Sequence, residues 1–554
     1  MKSDRQRLTI WTGASGIIFL LYAIFLIYPI VTILGQALFL KGSFSLHHFA
    51  LFFSKPYYFS TLVNSFKVSL TATLFSLVIG TSLAYFFAMY QFKGKKWLQI
   101  AIIIASMSAP FVGAYSWILL LGRSGVITKF LMNSLHFPQI NIYGFWGIVL
   151  VFSLQLFPLV FLYVSGAFKS IDHSILEAAE SMGATGLKRV FKVLLPLLMP
   201  TLLAAALLVF MRAFADFGTP MLIGEGYRTF PVLVYTEFVS EVGGNAAFAS
   251  ALAIISILIA LTIFFLQGYL ARRFSFSMNA LHPIQAKQVT KGKRIAICSY
   301  VYGIVFLSIL PQIYLIYTSF LKTSGMVFVP GYSLHSYEEA YRRMGSAIFN
   351  TIRIPLMALA VVVVLATLIA YLAVRRRNPL TTAIDSLSMV PYIVPGTVLG
   401  IAFISSFNTG ILGSGFMMIT GTATIMVISL AIRRLPYTIR SSVAALGQVS
   451  PSIEEAAESL GSSRVNTFLK ITVPMMLSGI ISGAILSWVT MISELSTSIL
   501  LYNIHTKTMT VAIYTEVIRG NYGIAAALST TLTAMTVASL LLFMKISKNE
   551  QMTL

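Results

Sequence analysis

Runs of about 20 predominantly apolar residues, the length a helix needs to cross a bilayer, recur along the chain between short polar segments. They centre near Ile24, Leu77, Ile104, Val151, Ala206 and Ile257, then near Phe306, Val362, Val394, Ile425, Ser487 and Thr533. The pattern predicts an all-α polytopic membrane protein with about twelve transmembrane helices. The first run follows Lys2, Arg5 and Arg7 and begins like a signal peptide. It stays apolar to about Leu38 and lacks a small-residue cleavage site, so it reads as a retained helix.

Composition agrees. Of 554 residues 57% are hydrophobic and only 10% charged, with mean hydropathy +0.85, whereas soluble domains carry about 25% charged residues. The formal net charge of +22 raises nucleic acid as a partner. The basic residues, however, sit in short loops between apolar runs, such as Lys93, Lys95 and Lys96, Lys188, Arg189 and Lys192, and Arg375, Arg376 and Arg377. With both termini placed in the cytoplasm, about 26 of the 39 basic residues fall on the inner side, as the positive-inside rule requires. The charge is thus an orientation signal, the expected partner is the lipid bilayer, and nucleic acid is set aside. Cys298 is the single cysteine, which excludes an intrachain disulfide and zinc-finger chemistry.

The chain contains an internal repeat. From Ile175 it reads ILEAAESMGATGLKRVFKVLLP, and from Ile453 IEEAAESLGSSRVNTFLKITVP. Glu177 maps onto Glu455, Gly183 onto Gly461, Pro196 onto Pro474 and Asp216 onto Glu494, all by a step of 278 residues. Tyr235-Thr236-Glu237 matches Tyr514-Thr515-Glu516, and Asn64-Ser65-Phe66-Lys67 resembles Asn350-Thr351-Ile352-Arg353. The expected organisation is a first half over 1–271 with its core from about 60, a charged cytoplasmic linker over 272–294, and a second half over 295–554 with its core from about 346. Six spans separate equivalent points. Six is even, so the repeats are parallel rather than inverted.

These residues carry a resemblance. Glu177-Ala178-Ala179, Gly183, Leu195 and Pro196, and again Glu455-Ala456-Ala457, Gly461, Val473 and Pro474, are similar to the cytoplasmic E-A-A signature of binding-protein-dependent import permeases of ABC transporters. The resemblance implies the type I importer permease fold as two parallel six-helix repeats, located in the bacterial inner membrane. It implies an external substrate-binding protein and two cytoplasmic ATPase subunits that hold ATP and Mg and grip these loops through a coupling helix. Read on their own, Ser174–Met182 and Ser452–Leu460 are short helices, each ended by a glycine and carrying a glutamate near its start, where the helix dipole favours it. The alanines offer a low face to a partner groove, and Pro196 and Pro474 read as starts of the following helices.

The chain has no G-x-x-x-x-G-K-[ST] loop, so ATP hydrolysis is expected on partner chains and no cofactor on this one. No metal-ligand cluster stands out, and His47-His48 reads as a wetted surface pair. Asp216 and Glu494 are expected near the outer end of a translocation path. Arg212 lies four residues before Asp216 on the same helix face, whereas Thr490 holds the matching place before Glu494 and leaves it no obvious basic partner. Glu237 and Glu516 are candidates for docking the binding protein. Within the superfamily, the segments Ala215 to Pro220 and Glu494 to Tyr502 look most like ferric iron permeases. Thiamine, aminoethylphosphonate or another small anionic solute are the alternatives, and an ion-driven secondary transporter is the alternative class.

Overall fold

A computed structural model describes residues 10–547 apart from 41, 108, 241–244, 274–281, 283, 285, 289 and 326. Part of the expected linker therefore lies outside the described residues. Helices dominate, and the strands form two small antiparallel hairpins, Phe39–Leu40 with Ser43–Phe44 and Leu321–Ser324 with Val327–Tyr332.

Ten described helices are long and apolar enough to cross a membrane, eleven if the bent pair Arg464–Met475 and Leu477–Ile492 is one span. The expected twelve differ for a physical reason. The run near Ile425 does form a 25-residue helix, Ala423–Gly447, but Arg433, Arg434 and Arg440 make it too polar to count by composition. Two expected spans are also displaced. Around Ile104 the chain forms only the 13-residue helix Lys95–Met107, and the spanning candidate is Pro110–Leu135. Around Val394 it breaks between Pro379–Ile393 and Gly396–Phe407, where Val394, the residue before Pro395, is extended with ψ 126°, the region that a following proline ring favours.

The chain divides into two compact units that interleave along the sequence. One comprises Phe53–Leu233 and Leu258–Leu334, the other Met1–Phe52, Val234–Ile257 and His335–Glu550. In the former, Pro56–Met89 packs on Phe145–Lys169 so closely that a Cβ on Gly80 would lie 2.6 Å from Val160 Cβ. Small residues permit such approaches between membrane helices. The core there joins Leu83, Phe87, Phe157, Phe161 and Val164 to Val301 and Val305 of the later helix Lys291–Ser319.

In the latter unit, Gly479 and Gly483 serve the same purpose against Ala423–Gly447, where a Cβ on Gly479 would meet Ala445 Cβ at 2.4 Å. The first apolar helix belongs here: Trp11 packs on Tyr371 at 4.7 Å and on Phe468 at 5.3 Å between ring centroids. Also in this unit, His48 is 3% exposed, not a wetted residue. Both its ring nitrogens are buried without hydrogen-bond partners, and burial, with His47 beside it, holds the imidazole pKa below its usual value.

Candidate functional site

The two repeated loops form matching short helices, His173–Ser181 and Pro451–Ser459. Asp172 Oδ1 caps the first by accepting from the Ser174 amide at 2.9 Å, while the second starts with Pro451 in its first turn. Both end in the same glycine motif. Gly183 has φ +78° and Gly461 φ +93°. The Ala184 amide donates to Ala179 O at 2.9 Å and the Ser462 amide to Ala457 O at 3.0 Å. Only a residue without Cβ adopts this left-handed turn without strain.

Each helix has an inward and an outward face. Leu176 and Ala179 are buried in the first, and Glu454 and Ala457, their equivalents, in the second. The buried leucine of one loop is thus replaced in the other by an ion pair, Glu454 to Arg375 Nε at 2.9 Å, and Arg375 also donates to Val449 O at 2.6 Å. Outward stand Glu177 and Glu455, Ala178 and Ala456, with Met182 and Leu460 85% and 90% exposed. Only one of the two alanines in each motif therefore faces out; Ala179 and Ala457 pack inward. The outer face combines a carboxylate, a small residue and a bare apolar tip, the makings of a contact surface.

Pro196 and Pro474 do not start helices as expected. Helical structure begins upstream, at Gly186 and Arg464, and in both copies a π-helical turn, Val190–Leu194 and Phe468–Thr472, immediately precedes the residue before the proline. The wider turn carries the helix past a residue that lacks an N–H and whose ring would clash with the carbonyl four residues back. Leu195 and Val473 are the first α-helical residues after it.

Part of the charged linker is fastened to the first loop helix. Asp172 Oδ2 accepts from the His282 amide at 3.0 Å, and the His173 amide donates to His282 O at 2.8 Å. Nearby, the Lys287 amide donates to Met89 O at 2.8 Å.

Asp216 and Glu494 occupy equivalent helix breaks and perform the same local task. Asp216 Oδ1 accepts from the Thr219 amide at 2.8 Å, and Glu494 Oε1 from the Thr497 amide at 3.0 Å, so each carboxylate caps the turn that follows. Glu494, 5% exposed, has basic partners after all: Arg433 Nη1 and Arg434 Nη2 both pair with it, and Arg433 Nη1 also donates to Thr497 Oγ1 at 3.1 Å. Both arginines stand on a different helix, Ala423–Gly447, so spacing along the helix of Glu494 does not reveal them.

Glu516 is not available for docking. It is 1% exposed, pairs with Arg519 at 3.2 Å and accepts from Asn521 Nδ2 at 2.7 Å. Its equivalent Glu237 is partly exposed.

The repeated Asn64-Ser65 and Asn350-Thr351 pairs have a function that the sequence marks only as similarity. Asn64 Nδ2 donates to Arg228 O at 3.0 Å and Ser65 Oγ accepts from the Phe230 amide at 2.7 Å. Asn350 Nδ2 donates to Lys507 O at 3.1 Å and Thr351 Oγ1 accepts from the Met509 amide at 2.7 Å. Each pair thereby caps, from another helix, the first turn of the short apolar helices Phe230–Val239 and Met509–Ile518. Thr351→Val leaves the buried Met509 N–H without an acceptor and is expected to cost about 1–3 kcal/mol of stability, read as a lower unfolding midpoint in detergent. Thr351→Ser should restore it.

Such a fold and such paired loops define a helical transport permease built from two repeats. The chain belongs to the family of binding-protein-dependent transport system inner membrane components, whose sequence profile matches it twice, over residues 55–276 and 362–548. It is similar to the ferric transport system permease protein FbpB of Actinobacillus pleuropneumoniae, with 28% identity over 96% of this chain and 77% of that protein. It is similar also to the Fe(3+)-transport system permease protein FbpB 2 of Haemophilus influenzae, with 26% identity over 85% of this chain and 87% of that one. The molybdenum transport system permease protein ModB of Escherichia coli is 30% identical, over 38% of this chain and 91% of its own length. The protein is thus a multi-pass permease subunit of an ABC importer.

Proposed function

We propose that this permease imports ferric iron, delivered by an external binding protein and moved by alternating access under the control of two separate ATPase subunits that hold ATP and Mg. The observation that carries the solute is the likeness to ferric permeases over 96% of the chain; the molybdenum permease is matched over 38% of it. In this reading both termini are cytoplasmic and the loop helices around Glu177 and Glu455 are the coupling helices. Their outward faces support it. At equivalent positions both present a carboxylate, an alanine and a nearly naked Met182 or Leu460, a shape that fits a groove lined by basic and apolar groups. Asp216, Glu494 and Glu237 are the polar groups assigned to the path or its outer mouth.

The test is reconstitution of the permease with its ATPase and binding protein in liposomes. ATP-dependent uptake of radiolabelled ferric iron is expected, with no uptake of thiamine, aminoethylphosphonate or molybdate. Uptake of one of those and not of iron sinks the solute assignment. Uptake driven by a proton gradient without the ATPase sinks the mechanism. Met182→Asp with Leu460→Asp places charge on the apolar tips and is expected to weaken ATPase binding by about 2–4 kcal/mol, measured by co-purification and titration.

A further inference from the structure

The charge around Glu494 does not balance. Two guanidinium groups converge on one carboxylate, and the ion pairs of both arginines among the described residues end on Glu494 alone. Guanidinium does not shed its proton in a protein, so the cluster keeps one net positive charge in a nearly buried place, with both arginine side chains 14% exposed. Arg434 Nε is buried and has no hydrogen-bond partner. So is Thr397 Oγ1, next along the helix from Gly396, whose Cβ, were there one, would lie 2.3 Å from Arg433 Nη1.

The fold does not require this arrangement. Phe145–Lys169 and Ala423–Gly447 are equivalent helices of 25 residues, and the 278-residue step places Gln155 and Leu156 where Arg433 and Arg434 stand. The first half thus forms the same helix break, capped by Asp216, with neither arginine. Its Gln155 instead lines a cavity of about 20 Å³ with Ser308 and Gln312, room for about one water.

We propose that Arg433 and Arg434 form an oxyanion-binding site present only in the second half of the permease, with Glu494 holding the two guanidinium groups in place between occupancies. Planar donors of this kind match carboxylate and phosphate oxygens, and an anion supplies the missing negative charge. The proposal stands whichever solute the permease carries. The anion chemistry is that of a free phosphate or of a phospholipid headgroup, and one experiment separates them.

The full chain is placed in nanodiscs of phosphatidylcholine, and binding of radiolabelled inorganic phosphate is measured at equilibrium. The comparison is the triple variant Arg433→Gln, Arg434→Leu, Glu494→Asp, which installs the residues that the first half already folds with. One phosphate per wild-type chain is expected, weakened at least about tenfold in the variant by loss of the charge-assisted hydrogen bonds. If phosphatidylglycerol in the nanodisc abolishes phosphate binding to the wild type and native mass spectrometry finds that lipid retained by the wild type but not by the variant, the occupant is a headgroup. Absence of phosphate and of retained anionic lipid in the wild type overturns the proposal, as does equal binding by wild type and variant.

Discussion

Glu494→Ala is expected to be among the most destabilising single substitutions in the chain. It leaves Arg433 and Arg434 facing each other in a nearly buried place, and removing one partner of a buried ion pair costs about 3–5 kcal/mol because the remaining charge is uncompensated. The Thr497 amide loses its cap at the same time. Thermal unfolding in detergent should show a large fall in the midpoint. Removing all three charges together, as Arg433→Gln, Arg434→Leu and Glu494→Ala, should recover much of the loss, because neutral side chains carry no such desolvation cost. A Glu494→Ala protein as stable as the wild type contradicts the ion-pair account.

The double substitution Glu177→Arg and Glu455→Arg is expected to give the largest loss of transport without loss of fold. Both glutamates are exposed, so reversal of their charge leaves the packing of Leu176, Ala179, Glu454 and Ala457 untouched. At the proposed coupling interface, where basic partner groups would face these carboxylates, each reversal is worth about 2–5 kcal/mol. ATPase association should therefore fall by several orders of magnitude, and ATP-dependent uptake should vanish while the purified permease keeps its unfolding midpoint. Glu454→Ala gives the opposite signature. It frees the largely buried Arg375 from its ion pair and should lower the midpoint first, with transport lost as a consequence. A charge-reversed protein that still binds its ATPase rejects the coupling role of the loops.

The contrast between Glu454 and Glu455 shows how far the sequence can be read. Aligning Glu177 with Glu455 picks out the outward carboxylates, because the helical period and the fixed step determine which positions are equivalent. It does not show that Glu454, at the place of Leu176, turns inward to Arg375, since that pairing joins residues far apart in the chain. The pairing of Arg433 and Arg434 is hidden in the sequence for the same reason: their partner is 61 and 60 residues away. Pro196 and Pro474 misled in another way. Proline in a first turn is an ordinary start signal, and nothing in the local sequence announces the wider turn that lets the helix begin earlier. The spans themselves were largely legible, because about 20 apolar residues leave few other possibilities. Their limits were less legible where prolines displace the helix, before Pro110 and at Pro395, and where three arginines lower the apolar character of Ala423–Gly447.

The interleaving of the two units has a consequence for how the protein is made. The ribosome delivers the helix Ile10–Tyr22 long before Tyr371 and Phe468, against which Trp11 packs, because the whole of the first half is synthesised in between. Until then this helix lacks its aromatic neighbours. Conversely, the core that contains Phe87 and Phe161 stays open until Val301 and Val305 arrive. Each compact unit draws helices from both halves, so 1–290 and 291–554 expressed as separate chains would each carry an incomplete core. Keeping both on one polypeptide ensures that each unfinished core meets its missing helix in a one-to-one ratio.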